Sequence, residues 1–247
     1  MALPFVLDNG VATRARLGVV ILETDETLES DLRTVFNQPG IGLFHTRIPN
    51  AQTVTQETLT AMRDEMPAVL KLLPHTVPLD VVGYGCTSAS TLIGPENVAA
   101  IVNAIHPHAK VTNPISGVIA ACQALGVNRL GLVTPYSADI SAAMQDTLTN
   151  NGIAVTAFGS FEQTTDANVA RLSPQSILDA MITIGSSDET DAVFASCTNL
   201  NTFAIIEEAE AKIGKPVISS NQAMAWHMAT LAGLSADVQG PGHVFLV

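Results

Sequence analysis

The 247-residue chain is 47% hydrophobic, enough to bury one large core or two smaller ones. Its 23 Asp and Glu outnumber 11 Lys and Arg, and the net charge of −12 sets up a field that repels nucleic acid and anionic membrane surfaces. No apolar stretch reaches the ~18 residues of a membrane span, the first residues lack a leader pattern, and three scattered cysteines suit free thiols in a reducing compartment, so a cytoplasmic protein is expected.

Short apolar runs alternate with amphipathic segments, and Gly, Pro or Asn marks the breaks, the pattern of a parallel sheet covered by helices. In chain order the reading is strand 16–22, helix 27–36, strand 41–48, helix 56–73, strand 81–85, helix 95–105, strand 110–113 and helix 117–125. It continues with strand 129–134, helix 138–150, strand 154–158, helix 174–184, strand 192–195, helix 202–213, strand 216–219 and helix 222–231. The six histidines show no metal-ligand spacing, and no metal site is expected. His106 and His108, which flank Pro107, read as a solvated turn. Trp226 and His227 lie in a helical pattern that reads as core or interface, and His45 ends a strand run with nothing to mark it as functional.

The second half of this list repeats the first. "RLGVVILETDETLESDLRTVF" from Arg16 matches "RLGLVTPYSADISAAMQDTLT" from Arg129, and "LDVVGYGCTSASTL" from Leu79 matches "TDAVFASCTNLNTF" from Thr190, at offsets of 113 and 111. "KVTNPISGVIAACQALG" from Lys110 resembles "KPVISSNQAMAWHMATLAG" from Lys215 with a small insertion. The fold class expected is α/β, with two pseudo-symmetric flavodoxin-like domains of about four parallel strands each. Residues 1–118 plus 220–247 would form one domain and 119–219 the other. Asp80 and Asp191 fall at equivalent strand starts and read as turn or cap residues.

Functional loops of open parallel sheets gather at the carboxyl ends of the strands, so the segments after the first and third strand of each copy are predicted to line one interdomain cleft. Two of them carry cysteine in the same frame, "YGCTSAS" at Cys86 and "ASCTNLN" at Cys197. Small, weakly polar Cys is often merely tolerated at strand ends, but duplication of the frame weighs against that. Each precedes residues suited to capping a following helix, near Thr91 or Pro95 after Cys86 and near Thr202 after Cys197, and a helix N-terminus lowers a thiol pKa. Cys122, among alanines, reads as core packing.

Two thiols across a cleft form a simple machine: one as thiolate takes a proton from carbon or adds to an alkene, the other as thiol donates from the opposite face. No cofactor is required. Thr87, Ser88, Thr198 and Asn199 are placed to hold the developing enolate-like carboxylate with hydroxyls and backbone N–H groups. No glycine-rich phosphate motif accompanies them.

At these residues the chain resembles the aspartate/glutamate racemase superfamily, over roughly residues 16 to 233. Within it, "GYGCTSAS", "VTPY" ending in Tyr136, and "FASCTNL" are most similar to the branch of maleate cis-trans isomerase and arylmalonate decarboxylase. The resemblance implies Cys86 and Cys197 as catalytic pair, with Thr87, Ser88, Tyr136, Thr198 and Asn199 binding carboxylate. In isomerases of that branch one thiolate adds to the double bond, the adduct rotates and elimination follows; in the racemases the two groups act as base and acid on one α-carbon. Arylmalonate decarboxylases keep only the second cysteine, so Cys86 speaks against that activity. Where the isomerases carry a substrate-binding asparagine this chain has "TDET", placing Asp25 there; it would suit an ammonium group or simply cap a helix. A second such asparagine falls in "TDANVAR", on Asp166 or Asn168. The function expected is a cofactor-independent racemase or cis-trans isomerase of a small carboxylic acid or amino acid, in a homodimer or homotetramer. The alternatives are a non-catalytic small-carboxylate binding protein and a malonate-type decarboxylase.

Overall fold

The computed structural model describes residues 1–247. The first half runs β1 (Ala15–Leu22), α1 (Leu28–Phe36), β2 (Ile41–Ile48), α2 (Gln56–Leu70), β3 (Val81–Gly85), α3 (Thr87–Ile93), α4 (Pro95–Ile105), β4 (Lys110–Thr112) and α5 (Pro114–Leu125). The second runs β5 (Arg129–Thr134), α6 (Ala138–Asn150), β6 (Ala154–Ser160), α7 (Asp166–Val169), α8 (Pro174–Gly185), β7 (Ala192–Ala195), α9 (Ile206–Ile213), β8 (Val217–Ser219) and α10 (Ser220–Ala232). Two parallel four-stranded sheets result, ordered β2-β1-β3-β4 and β6-β5-β7-β8. No helix is long and apolar enough to cross a membrane.

The duplication is visible in the hydrogen bonds at the strand starts. Asp80 Oδ2 accepts the Arg16 N–H at 2.7 Å, and Asp191 Oδ2 accepts the Arg129 N–H at 3.0 Å. Each carboxylate precedes the third strand of its sheet and satisfies a donor at the start of the neighbouring one. The two copies thus share a register device as well as a strand order.

One core cluster takes in residues beneath both sheets, from Val82 and Tyr84 to Leu132 and Phe194. The returning helix α10 packs on β3, β4 and α1 of the first sheet, and its Met224, Ala225 and Met228 join the cluster around Leu17 and Leu32. Gly117 of α5 lets that helix approach α10 closely: a Cβ there would lie 2.7 Å from the Ala223 carbonyl oxygen. This return supports a division into 1–118 plus 220–247 and 119–219, which we propose as the two lobes.

Several details differ from the sequence reading. The segment after Cys86 is already helical from Thr87, because Cys86 itself serves as the cap, so the helix does not wait for Thr91 or Pro95. After Cys197 the chain stays irregular until a short 3-10 turn at Phe203–Ile205, and α9 begins only at Ile206. His106 is buried rather than solvated, its Nε2 lying 2.9 Å from the Leu70 carbonyl oxygen at the end of α2, while His108 is exposed.

Candidate active site

Residues of both repeats line a small, partly open cavity, with about 20 Å³ open to the centre of a water molecule. Cys86, Thr87 and Ser88 form one wall at the carboxyl end of β3. Tyr136, Cys197, Thr198 and Asn199 line the same cavity from the ends of β5 and β7. The strand-end loops of the two copies therefore meet, as the repeat implied.

Each sulfur receives a backbone donor. The Ala89 N–H points to Cys86 Sγ at 3.4 Å, with Ser88 Oγ at 3.7 Å, and the Asn199 N–H points to Cys197 Sγ at 3.4 Å. Cys197 adopts φ +156°, an uncommon backbone conformation for a non-glycine residue. Only Cys86 stands at a helix N-terminus. The cavity is dry enough that burial outweighs these donors: it pushes the Cys86 thiol up to about 12 and raises Cys197 as well, the latter helped by the Asp166 charge. The lowered thiol pKa expected from helix position is thus reversed in this site, where both sulfurs rest as thiols. Burial raises the Tyr136 phenol well above the usual range, so it remains a donor. Cys122 is buried in α5, away from the cavity.

Ser220, the first residue of α10, joins the two cysteine loops: its Oγ accepts the Thr87 hydroxyl at 2.8 Å and the Cys197 N–H at 3.0 Å. Sequence reading passed over it, although it stands at the end of β8, where the strand-end rule would look.

The remaining lining was also missed. Asn50, Thr53 and Val54, after β2, and Met62 of α2 cover the cavity, and this cover is tied to the other lobe where the Val54 N–H donates to Thr164 O at 3.1 Å. Pro49-Asn50 at a strand's carboxyl end was the available signal. Asp166 lines the cavity, its Oδ2 accepting from Thr24 Oγ1 at 2.7 Å and Asn50 Nδ2 at 3.0 Å. Asn168 is exposed and donates instead to Gln163 Oε1, so of the two candidates in that segment only Asp166 lines the cavity. Asp25 does not line the cavity. Its Oδ1 accepts the N–H groups of Thr27 and Leu28 at 2.9 and 2.8 Å, a capping role for α1, while its buried Oδ2 has no partner. His45 stays on β2, outside the site. No cluster of three or more His, Cys, Asp or Glu side chains is arranged to hold a metal ion.

This geometry has relatives. The chain is 23% identical to a maleate isomerase of Nocardia farcinica over 93% of its own length and 94% of the relative's, and 29% identical to an arylmalonate decarboxylase of Bordetella bronchiseptica over 54% and 57%. It superposes with a TM-score of 0.86, at 22% identity and covering 94% of this chain and 98% of the other, on a mutant Nocardia farcinica maleate cis-trans isomerase holding a covalently bound succinylcysteine intermediate. Residues 45–245 match the family model described as arylmalonate decarboxylase, and the chain belongs to that family.

Proposed function

We propose that the protein is a cofactor-independent isomerase of a small carboxylic acid, with Cys86 and Cys197 as its reacting groups. The observation that carries this reading is that one cysteine from each repeat lines a single cavity. One sulfur, ionised as substrate binds, takes a proton from carbon or adds to a double bond; the other delivers a proton. The substrate carboxylate is held by the hydroxyls of Ser88 and Thr198 and the phenol of Tyr136, while Thr87 and Asn199 spend their own donors on Ser220 Oγ and on the carbonyls of Thr24 and Asp166 and so position the two cysteine loops. Maleate isomerase relatives match over nearly the full chain, which favours isomerisation. A small cavity suits a substrate of few heavy atoms. Large apolar residues left exposed in the N-terminal arm, Leu3, Phe5, Val6 and Leu7, support a homo-oligomer, to be checked by light scattering.

The test is turnover of small mono- and dicarboxylic acids and amino acids without added cofactor, in the native protein and in Cys86→Ser and Cys197→Ser. Each variant is expected to lose at least about a hundred-fold in kcat/KM. Near-native turnover in either one refutes the two-thiol reading.

A further inference from the structure

Cys86 and Cys197 receive their backbone donors from different kinds of structure. The Ala89 N–H, which points at the Cys86 sulfur, belongs to α3 and keeps its direction because the helix keeps it. The Asn199 N–H, which points at the Cys197 sulfur, lies in the irregular stretch of residues 196–202 between β7 and the 3-10 turn at Phe203–Ile205. No helix aims it. A loop peptide holds one orientation only when its groups are fixed by partners from outside the loop.

The partner here comes from α10. The Thr198–Asn199 peptide is trans, so its C=O and N–H point in opposite directions, and fixing the one fixes the other. Asn221 Nδ2 donates to the Thr198 carbonyl oxygen at 2.8 Å and to Asp31 Oδ2, on α1, at 2.7 Å. Asn221 Oδ1 is buried without a partner. A bare buried acceptor is costly, and the amide orientation that leaves it bare is the one that places both of its N–H bonds. Neither Asn221 nor Asp31 lines the cavity, so both act from behind it.

We propose that Asn221 is a positioning residue for the Cys197 sulfur: Asp31 orients the Asn221 amide, the amide holds the Thr198–Asn199 peptide, and the peptide aims its N–H at the sulfur. This rests on the two-thiol reading and adds to it the residues that ready one of the thiols. Ser220 fixes the backbone before the Cys197 side chain by accepting its N–H, and Asn221 fixes the peptide beyond it. Two adjacent side chains at the start of α10 thereby hold a cysteine whose φ is +156°, a conformation that persists only where its surroundings impose it. Donation to the Thr198 oxygen also polarises the peptide and strengthens its N–H toward a sulfur that gains charge. The donor is in place before the charge forms.

The test compares alkylation of Cys197 and Cys86 by iodoacetamide within the same full-length molecule, by mass spectrometry of the two peptides at fixed pH, in Asn221→Ala and Asp31→Leu. Loss of the aimed donor disfavours the Cys197 thiolate alone, so the ratio of the Cys197 rate to the Cys86 rate is expected to fall at least about five-fold in Asn221→Ala and to fall also in Asp31→Leu. Asp31→Asn, which keeps an acceptor for Asn221, is expected to hold the native ratio. General loosening acts in the opposite sense, because it exposes both sulfurs and raises both rates. Hydrogen exchange gives a second readout: the Asn199 amide should exchange at least about ten-fold faster in Asn221→Ala, with the Ala89 amide at its native rate. An unchanged or raised ratio, or an Asn199 amide as protected as in the native protein, overturns the proposal. If Asn221→Ala does not fold, Asp31→Leu carries both readouts. Neither measurement uses turnover, so retained activity in Cys197→Ser would refute the two-thiol reading and leave the hold of Asn221 on the peptide standing.

Discussion

The Cys197 N–H donates to Ser220 Oγ at 3.0 Å, and the hydroxyl of Thr87, next to Cys86, donates to the same oxygen at 2.8 Å. Ser220 is fully buried, so one hydroxyl fixes the loops of both cysteines relative to each other. Ser220→Ala leaves two buried donors without an acceptor, a loss of about 1–3 kcal/mol by urea denaturation. It also frees the loops to shift, and a turnover loss of at least about ten-fold with KM little changed is expected. A variant that is destabilised yet turns over normally would reduce Ser220 to a structural role.

Gly117 and Ala223 mark the closest approach of α5 and α10. The added methyl of Gly117→Ala would meet the Ala223 carbonyl carbon at 2.8 Å and oxygen at 2.7 Å, backbone atoms that cannot rotate away. Destabilisation of about 1–3 kcal/mol follows, read as a lower denaturation midpoint at unchanged slope. An unchanged midpoint would mean that the two helices are not in contact there.

The parts of this architecture that were legible in sequence are those with a strong local signal. Fully buried β3 reads as an unbroken apolar run, and the cysteine frame recurs because the unit that carries it recurs. Residues whose roles arise only across the lobe boundary were not legible. Asp166 was named through the resemblance, but its 3.0 Å hydrogen bond to Asn50, 116 positions away, was not, and neither was Ser220, which acts on a loop 23 residues earlier. The thiol pKa values were misjudged for the same reason: helix position is written in the sequence, whereas exclusion of water depends on the cover from β2, α2 and the segment around Thr164.

Both sulfurs rest as thiols, so alkylation of the substrate-free protein by iodoacetamide should be slow at pH 7 and rise with pH, without a plateau below pH 9. Mass spectrometry of the Cys86 and Cys197 peptides provides the readout. Opening the cover should accelerate both: Val54→Gly, which trims an apolar contact over the cavity, is expected to raise the rate several-fold. A fast, pH-independent reaction at neutral pH would show a resting thiolate and contradict the dominance of burial.

Asp31 on α1 accepts a hydrogen bond from Asn221 Nδ2 at 2.7 Å, and burial, with the Asp25 charge adding to it, pushes its carboxyl up to about 7. In the unfolded chain the same group titrates near 3.8. Between about pH 4 and 7 the folded state therefore holds a proton that the unfolded state has released, and folding loses stability as pH rises, by about 1.4 kcal/mol per unit and at most about 4 kcal/mol in all. Below that window both states are protonated, and above it both are ionised, so the loss is complete near neutrality. Asp31→Asn keeps an acceptor for Asn221 and removes the titration. Its stability relative to the native protein should thus grow from pH 4 to pH 7 and then level off, by chemical denaturation at each pH. A gap between the two proteins that is the same at pH 5 and pH 8 would show that Asp31 holds no buried proton through that window.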